Sequence, residues 1–356
     1  MADTPPPVAA PPRRLRSRAL AVPTVIGFAI AAVFIYFLVS RFNIDFGDTW
    51  DRVKHSNFGY FALAFVLYYL TFPLRGFRWR LLLRSAKALD TDPTRQPSVA
   101  QSGTMILISW FTNSITWFRL GDAYRAYLLS DRWRASFARV IGTVAAERVL
   151  DIAVMFALLL LAGLGLLHGG TARTAGEVLI GSAGVVAVLA IALLAMRLYG
   201  MRIARYLPKR LNALYAVFQE GTLGSFRSLP LLVALTVAIW LLEASRLYFV
   251  VHSLHLHVSL ALVLFAALGH SLLTTIPLTP GGLGFVELGL TGLLALELPR
   301  ADAAGITLVD RSITYFSIVV LGGLAFAGWQ AAHMRRRVGD NPTATMAGQP
   351  QQPIEP

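Results

Sequence analysis

The sequence has no cysteine and few charged side chains. Because none of its 356 residues is cysteine, disulfide bonds and metal sites built on thiolates are excluded. Charged residues make up 14% of the chain, whereas soluble domains carry roughly 25%. Hydrophobic residues make up 56% and form nearly charge-free runs such as 22–39 and 152–167. This composition predicts a helical membrane protein, since the runs are continuous and do not alternate as in a β-barrel.

The basic residues are placed as in a membrane protein. The net charge of +13 does not indicate nucleic acid binding, because the arginines lie in short loops such as 75–95 and 197–227. The positive-inside rule makes these loops and both termini cytoplasmic. The first apolar run is longer than a signal-peptide core, so we expect an uncleaved span. The expected location is the bacterial cytoplasmic (inner) membrane, with several passes.

The apolar runs predict one transmembrane domain at 20–335. We expect disordered cytoplasmic tails at 1–19 and 338–356, which are rich in Pro, Ala and polar residues. Segment 203–218 has apolar residues at helical spacing between basic ones and is expected on the cytoplasmic membrane surface. The expected apolar helical segments are 20–40, 58–83, 99–116, 137–167, 177–199, 229–251, 259–276 and 302–332, with a Gly-rich apolar stretch at 281–297.

Two of these segments belong to interrupted helices. Segment 99–116 is short and polar, and a second modest run through Leu129 follows it. Segment 259–276 is followed by two prolines and then by Gly281 and Gly282. Irregular backbone at membrane depth is tolerated where protein or a wet cavity covers it. We therefore expect two broken helix pairs, and the sequence leaves open whether each pair re-enters or fully spans.

The order of elements repeats along the chain. Each half has two spans, a broken pair, and a span that carries an acid beside an arginine. Glu147-Arg148 and Asp310-Arg311 lie 163 positions apart. The expected fold is an all-α polytopic membrane protein made of two inverted repeats, at about 20–168 and 177–332. Inverted repeats with broken helices are typical of transporters.

The acid–arginine spots are the strongest candidates for a site. Ionisable groups at membrane depth cost about 2.5–3.5 kcal/mol each on insertion scales, so they are rare. Glu147 is about 15 Å into its span if the helix begins near position 137, and Asp310 is at a similar depth from the other side. One interpretation is a structural ion pair that locks helices together. The other is a charged central cavity, lined by Glu147, Arg148, Asp151, Asp310 and Arg311, for a polar headgroup or a proton relay.

Two further motifs indicate anion binding. Arg119, Asp122 and Arg125 follow the first break, and arginine matches phosphate oxygens in a bidentate fashion. The alternative for them is an interfacial loop with positive-inside arginines. The motif at 280–287 breaks one helix and starts another, whose free N–H groups would face an anion. The alternative for that motif is a tight turn between two spans.

Other polar residues have simpler interpretations. Arg75, Arg78, Trp79 and Arg80 at the end of the second segment are interpreted as interfacial anchors. Glu243 and Arg246 are interpreted as a local ion pair. His252, His255 and His257 lack a nearby carboxylate to complete a metal site. We expect no metal, no cofactor and no catalytic residues.

Together these motifs resemble the lysylphosphatidylglycerol synthase transmembrane-region family, also called flippase-like domain proteins. The resemblance covers nearly all of residues 20–335. It implies a stand-alone member without the aminoacyl-transferase domain, so synthase activity is not expected. The motifs are Arg75-x-x-Arg78-Trp79, Arg119-Leu-Gly-Asp122-x-x-Arg125, Glu147-Arg148-x-x-Asp151, Pro280-Gly-Gly-Leu-Gly284-x-x-Glu287 and Arg311.

The resemblance implies a protein that translocates or binds an anionic or aminoacylated phospholipid, or a polyprenyl-linked lipid, through a polar central cavity. The alternative is a non-transporting membrane subunit of a lipid or glycan biosynthetic pathway. A membrane lipid is the expected partner, and lipid or glycan biosynthetic enzymes are further candidates. The expected substrate-binding residues are Arg119, Asp122, Arg125, Glu147, Arg148, Asp151, Gly281, Gly282, Gly284, Glu287, Asp310 and Arg311.

Overall fold

The computed structural model describes residues 56–89, 96–116, 118–167, 172–275 and 279–339. All of the regular secondary structure in these ranges is helical. The predicted span at 20–40, the predicted tail at 1–19 and positions 340–356 lie outside the described residues.

The helices match most of the predicted segments. The broken pairs correspond to α2–α3 and α8–α9, and short 3₁₀ turns occur at Ser225–Ser228 and Pro280–Gly282. The α-helices are α1 (Phe58–Ser85), α2 (Val99–Ile115), α3 (Leu120–Trp133), α4 (Phe137–Leu167), α5 (Ala172–Ala204), α6 (Lys209–Gly224), α7 (Leu229–Ser253), α8 (Leu260–Thr275), α9 (Phe285–Leu294), α10 (Arg300–Arg311) and α11 (Gly323–Gly339).

Local sequence explains where several helices begin. The side chain of Asn57 accepts hydrogen bonds from the first turn of α1. Ser98 and Gln101 form a reciprocal capping box at the start of α2. These side chains satisfy backbone N–H groups that have no partner inside the helix. The break between α2 and α3 contains Phe118 and Arg119, whose φ angles of 58° and 53° are left-handed and cannot continue a helix.

Within the described ranges, four helical stretches are long and apolar enough to cross a membrane. They are Phe58–Ser85, Ala187–Ala204, Lys209–Ser253 and Arg300–Ala332. A span needs about 20 apolar residues, so these stretches make the chain a multi-pass membrane protein. Shorter apolar helical stretches occur at Leu260–Thr274 and Pro280–Leu294.

Contacts between helices that are far apart in the sequence bring the two halves of the chain together. Helix α1 packs along α7, and α4 packs against α5, α6 and α8. The Pro280–Gly282 turn contacts α2. A Cβ added at Gly142 would lie 2.4 Å from the carbonyl oxygen of Phe218, so α4 and α6 approach closely. Helices α3 and α8, one from each interrupted pair, both contact α4.

The outer surface is apolar on α5. Val188, Ile191, Leu194 and Leu198 are at least half exposed there, as expected for side chains that face acyl chains. Helix α6 covers most of the predicted surface segment and also exposes Leu211 and Leu214. Its position at the membrane surface stays a prediction.

Candidate functional site

The two interrupted pairs meet at the centre of the molecule. The guanidinium of Arg119, between α2 and α3, donates to the backbone oxygen of Thr274 in α8 at 3.0 Å. The hydroxyl of Tyr315, just after α10, donates to the backbone oxygen of Ser114 in α2 at 3.4 Å. The breaks therefore face each other across a shared space.

That space is a cavity of about 140 Å³. Its aromatic lining residues are Tyr68, Trp110, Trp240 and Tyr315. Beside the first break it is lined by Asn113 and Thr116. Its charged lining residues are Arg75, Arg119, Arg148, Arg311, Asp151 and Glu243, and His270 lies beside them.

Arg78 is the centre of the first group of ion pairs. This arginine of α1 has no exposed side-chain surface. It donates to Asp151 at 2.5 Å, to Glu147 at 3.0 Å and to the hydroxyl of Thr236 at 2.8 Å. Arg125 of α3 lies 3.0 Å from the other oxygen of Glu147. Helices α1, α3, α4 and α7 are thereby tied together by buried charges.

Asp122 connects three arginines at the edge of the cavity. Arg148 donates to both of its carboxylate oxygens, at 2.8 and 3.0 Å. Arg119 and Arg125 lie 3.6 and 3.7 Å from the same carboxylate. One negative charge is therefore shared among three positive ones.

A second group of ion pairs lies between α1, α7 and α10. Arg75 donates to Glu243 at 3.0 Å, and Arg246 donates to the other oxygen of Glu243 at 3.3 Å. Arg246 is also ion-paired with Asp310. The Nδ1 atom of His270 is 3.5 Å from Asp310. Because His270 lines the cavity and Asp310 does not, the imidazole separates this carboxylate from the cavity.

Arg311 is held by the 280–287 motif. Its Nε donates to Glu287 at 2.6 Å, and its Nη2 donates to the backbone oxygen of Gly281 at 3.0 Å. Its guanidinium also lies 4.8 Å from the centre of the Tyr315 ring. Gly281 has a φ of 60°, and a Cβ there would lie 2.4 Å from the Tyr315 ring, so this turn requires glycine.

The predicted site residues divide into lining residues and residues of the surrounding wall. Arg148 and Arg311 line the same cavity, although they come from opposite halves of the chain. The adjacent acids Glu147 and Asp310 are buried behind it, as is Arg125. Asp122 and Glu287 hold lining arginines, and Gly284 precedes α9 with a φ of 79°. The predicted residues that line the cavity are Arg119, Arg148, Asp151, Gly281, Gly282 and Arg311. A role of any of them in substrate binding stays a prediction.

The prediction that Arg75, Arg78 and Trp79 are interfacial anchors is wrong. All three are buried, and both arginines pair with carboxylates of other helices. A buried carboxylate needs a cation, and Arg75 and Arg78 lie one turn apart in α1. Interfacial anchors can have the same spacing, so the sequence does not separate the two roles. The predicted local pair of Glu243 and Arg246 forms, but it also reaches Arg75 and Asp310. Sequence reasoning gave no role to His270, Trp110 or Trp240.

The cavity can hold a polar group among apolar helices. Its arginines offer N–H donors in a setting where water is restricted, which strengthens their interaction with an anion. Within the described ranges, no group of three or more His, Asp or Glu side chains could hold a metal ion. His252 instead contacts the backbone oxygen of Tyr248 at 2.9 Å.

Comparison with known proteins gives one family. The family described as lysylphosphatidylglycerol synthase TM region matches residues 24–322. A UPF0104 membrane protein of Methanocaldococcus jannaschii is 34% identical over 223 residues, which cover 61% of this chain and 93% of that protein. A UPF0104 membrane protein of Methanothermobacter thermautotrophicus is 26% identical over 305 residues, covering 78% and 87%. The glycosyltransferase AglD of Haloferax volcanii is 26% identical over 305 residues, covering 74% of this chain and 47% of that protein.

Proposed function

The chain belongs to the lysylphosphatidylglycerol synthase TM region family, and on this premise we propose that it translocates a membrane lipid whose headgroup passes through the central cavity. The candidate lipids are an anionic or aminoacylated phospholipid and a polyprenyl-linked lipid. The lipid tails stay in the bilayer while the headgroup crosses between the helices.

The observation that carries this proposal is the lining of the cavity. Arg75, Arg119, Arg148 and Arg311 converge on one space between the helices of a membrane protein. Charged groups at membrane depth are costly, so they mark pathways for polar substrates or ions more often than they serve stability alone. The lining residues Tyr68, Trp110 and Trp240 each have an apolar ring with one polar group. Such side chains suit the part of a lipid where the polar headgroup is joined to the acyl chains.

We also propose that the domain consists of two inverted repeats with both termini in the cytoplasm. Two equivalent ion pairs support the repeat: Arg78 of α1 pairs with Glu147 of α4, and Arg246 of α7 pairs with Asp310 of α10. In each half an early span supplies the arginine and a later helix supplies the acid. Rocking of one repeat against the other would open the cavity to each side in turn.

A cavity-filling variant tests the proposal without removing a charge. Ser271 lines the cavity, and the substitution Ser271→Trp would occupy the space that a headgroup needs. In proteoliposomes with fluorescent phospholipids, the wild type is expected to move lipid between leaflets faster than protein-free vesicles. The rate with Ser271→Trp is expected to fall to the protein-free level.

The matched control is Ser136→Trp. Ser136 is exposed in the turn before α4 and does not line the cavity, so its replacement should leave the translocation rate unchanged. If Ser271→Trp, folded and monodisperse, moves lipid at the wild-type rate, the headgroup does not pass through this cavity.

A second candidate function follows from the relative named a glycosyltransferase. That match favours a membrane subunit of a lipid or glycan biosynthetic pathway, which would hold a lipid-linked molecule for a partner enzyme. Such a subunit would bind lipid and not move it. Lipid that co-purifies with the protein, together with translocation at the protein-free rate, would favour this function over transport.

A further inference from the structure

We infer that the cavity selects a lipid with an anionic phosphate headgroup and disfavours an aminoacylated lipid, which carries additional ammonium groups. The inference rests on the proposed function and narrows its substrate class. It follows from the charge balance of the cavity wall and from which arginines have exposed surface.

The first group of ion pairs has an excess of positive charge. Its arginines and carboxylates are all linked by contacts of 4 Å or less. Four arginines face three carboxylates, which leaves a net charge of +1. The members are Arg78, Arg119, Arg125 and Arg148, with Asp122, Glu147 and Asp151.

Among the described residues, the remaining charged groups around the cavity balance. Arg75, Arg246 and Arg311 are paired with Glu243, Asp310 and Glu287, and the net charge of this set is zero when His270 is neutral. Positions 117 and 276–278, which flank the cavity-lining segments, are Trp, Ile, Pro and Leu and add no charge. The uncompensated positive charge therefore belongs to the group that contains Arg119 and Arg148.

Arg119 and Arg148 also have the surface to contact a ligand. Their side chains are 24% and 26% exposed and both line the cavity, whereas the other five arginines of the two groups are at most 4% exposed. Both share Asp122, which cannot neutralise two guanidinium groups. An uncompensated buried charge is costly, and phosphate oxygens would offset that cost through charge-assisted hydrogen bonds.

An ammonium group finds no comparable place. The two carboxylates that line the cavity are already ion-paired: Asp151 lies 2.5 Å from Arg78, and Glu243 lies 3.0 Å from Arg75. A lysyl headgroup would bring a further positive charge to a wall that is already positive. Its phosphate could still contact Arg119 and Arg148, but its ammonium groups would oppose binding.

The first experiment compares two headgroups on the full chain in proteoliposomes. Fluorescent phosphatidylglycerol and lysylphosphatidylglycerol have the same tails and phosphate but differ in charge. We expect phosphatidylglycerol to be moved about tenfold faster or more, the size expected for one charge-assisted contact. If lysylphosphatidylglycerol is moved as fast or faster, the inference is wrong while the proposed function stands. If neither of these lipids nor a fluorescent polyprenyl phosphate is moved or bound above protein-free vesicles, the proposed function fails as well.

The second experiment removes the positive excess. Arg119→Gln is expected to weaken phosphatidylglycerol binding about tenfold and to reduce the preference over the lysyl lipid. Arg119→Lys keeps the charge and is expected to retain the preference, which separates charge from folding. The control Arg205→Gln changes an exposed arginine between α5 and α6 and should change neither quantity. An unchanged preference in folded Arg119→Gln would overturn the assignment of the phosphate to this arginine.

A third experiment identifies the source of the phosphate. Polyprenyl phosphate and glycerol 3-phosphate compete with fluorescent phosphatidylglycerol for the purified protein in nanodiscs. If polyprenyl phosphate displaces the fluorescent lipid at a concentration equal to or lower than that of phosphatidylglycerol, the inference is supported and a polyprenyl lipid is the better ligand. If polyprenyl phosphate displaces the fluorescent lipid only at a concentration higher than that of phosphatidylglycerol, the inference is also supported, and a glycerophospholipid is the better ligand. Glycerol 3-phosphate that competes as well as either lipid would make the site one for soluble phosphates and would overturn the lipid assignment.

Discussion

At the scale of single residues, Arg78 of α1 links three helices, because its side chain contacts α4 and α7. Its guanidinium contacts Glu147, Asp151 and Thr236 with no exposed surface. In Arg78→Met, Asp151 would retain only Arg148, which is 3.9 Å away. Removing one partner of a buried ion pair leaves an uncompensated charge, so the free energy of unfolding should fall by about 3–5 kcal/mol. Unfolding of the purified variant in detergent measures this loss.

Arg84→Met is the control for that prediction. Arg84 lies in the last turn of the same helix, is exposed and donates to Gln96. Substitutions at such surface positions change stability by about 0.5 kcal/mol or less. Equal losses for Arg78→Met and Arg84→Met would show that the buried network does not stabilise the fold.

The carboxylates of these ion pairs could be predicted from the sequence, but their arginine partner could not. Glu147 and Asp151 are conspicuous because carboxylates are rare in apolar segments. Their main partner, Arg78, lies 69 and 73 positions away in the chain. Arginine near the end of a span is most simply an interfacial anchor, and only helix packing distinguishes that role from a buried one. Partners of buried charges therefore depend on tertiary contacts that local patterns do not contain.

At the scale of elements, the α2–α3 break depends on close backbone contact. A Cβ added at Gly121 in α3 would lie 1.9 Å from the backbone oxygen of Ser109 in α2. Gly121→Ala must therefore separate the two helices and move Arg119, which lies next to the cavity. We expect a loss of about 1–3 kcal/mol from overpacking, measured by unfolding in detergent, together with slower lipid translocation.

Gly292→Ala provides a matched control inside α9. Nothing lies within 4 Å of a Cβ added at Gly292. Alanine is favoured over glycine in a helix by about 1 kcal/mol, so this variant should be as stable as the wild type or more stable. A loss of stability at Gly292 similar to that at Gly121 would indicate a general intolerance of the helices to substitution, not a specific close approach.

Broken helices were easier to predict than irregular continuous ones. The polar residues of 99–116 and the prolines and glycines at 277–284 marked both interruptions. The stretch that follows Asp310 and Arg311 is different, because Ser312–Phe316 and Ile318–Gly322 are π-helical within a continuous helix. Hydrophobic periodicity does not distinguish one wider turn from an α-helical turn, so these π-helical segments could not be predicted from the sequence. Such π-helical segments are frequent at functional sites.

At the scale of the whole molecule, composition predicted an all-helical membrane protein, and the structure confirms it. Apolar runs predict spans because lipid requires every backbone polar group to be paired within the helix. The packing of α1 along α7 was not predicted, because apolar residues cover most faces of both helices. This packing brings Arg75 and Arg78 to the centre. The role of these two arginines in the site could not be predicted because the packing of α1 against α7 could not be predicted.

The arrangement of the helices predicts which loops share a side of the membrane. Glu297 accepts hydrogen bonds from the backbone and side chain of Ser259, at 2.8 and 2.6 Å, so the loops after α7 and α9 lie at one end. Helix α7 is the apolar part of the stretch Lys209–Ser253, which is long enough to cross a membrane, and it separates that end from α6 and the turn after α5. Tyr206 in that turn and Leu296 after α9 are 92% and 68% exposed. Single cysteines at these two positions should therefore react with a membrane-impermeant maleimide from opposite sides.

The natural absence of cysteine makes this measurement direct. The wild-type chain has no thiol and should remain unlabelled, so all labelling reports the introduced position. In intact cells one of Tyr206→Cys and Leu296→Cys should react, and in inverted vesicles the other. We expect Leu296→Cys to react from outside, because the positive-inside rule, applied to the arginines of 197–227, predicts a cytoplasmic Tyr206 turn. Reaction of both cysteines from the same side would contradict the crossing of the membrane by α7 and the proposed inverted arrangement of the two halves.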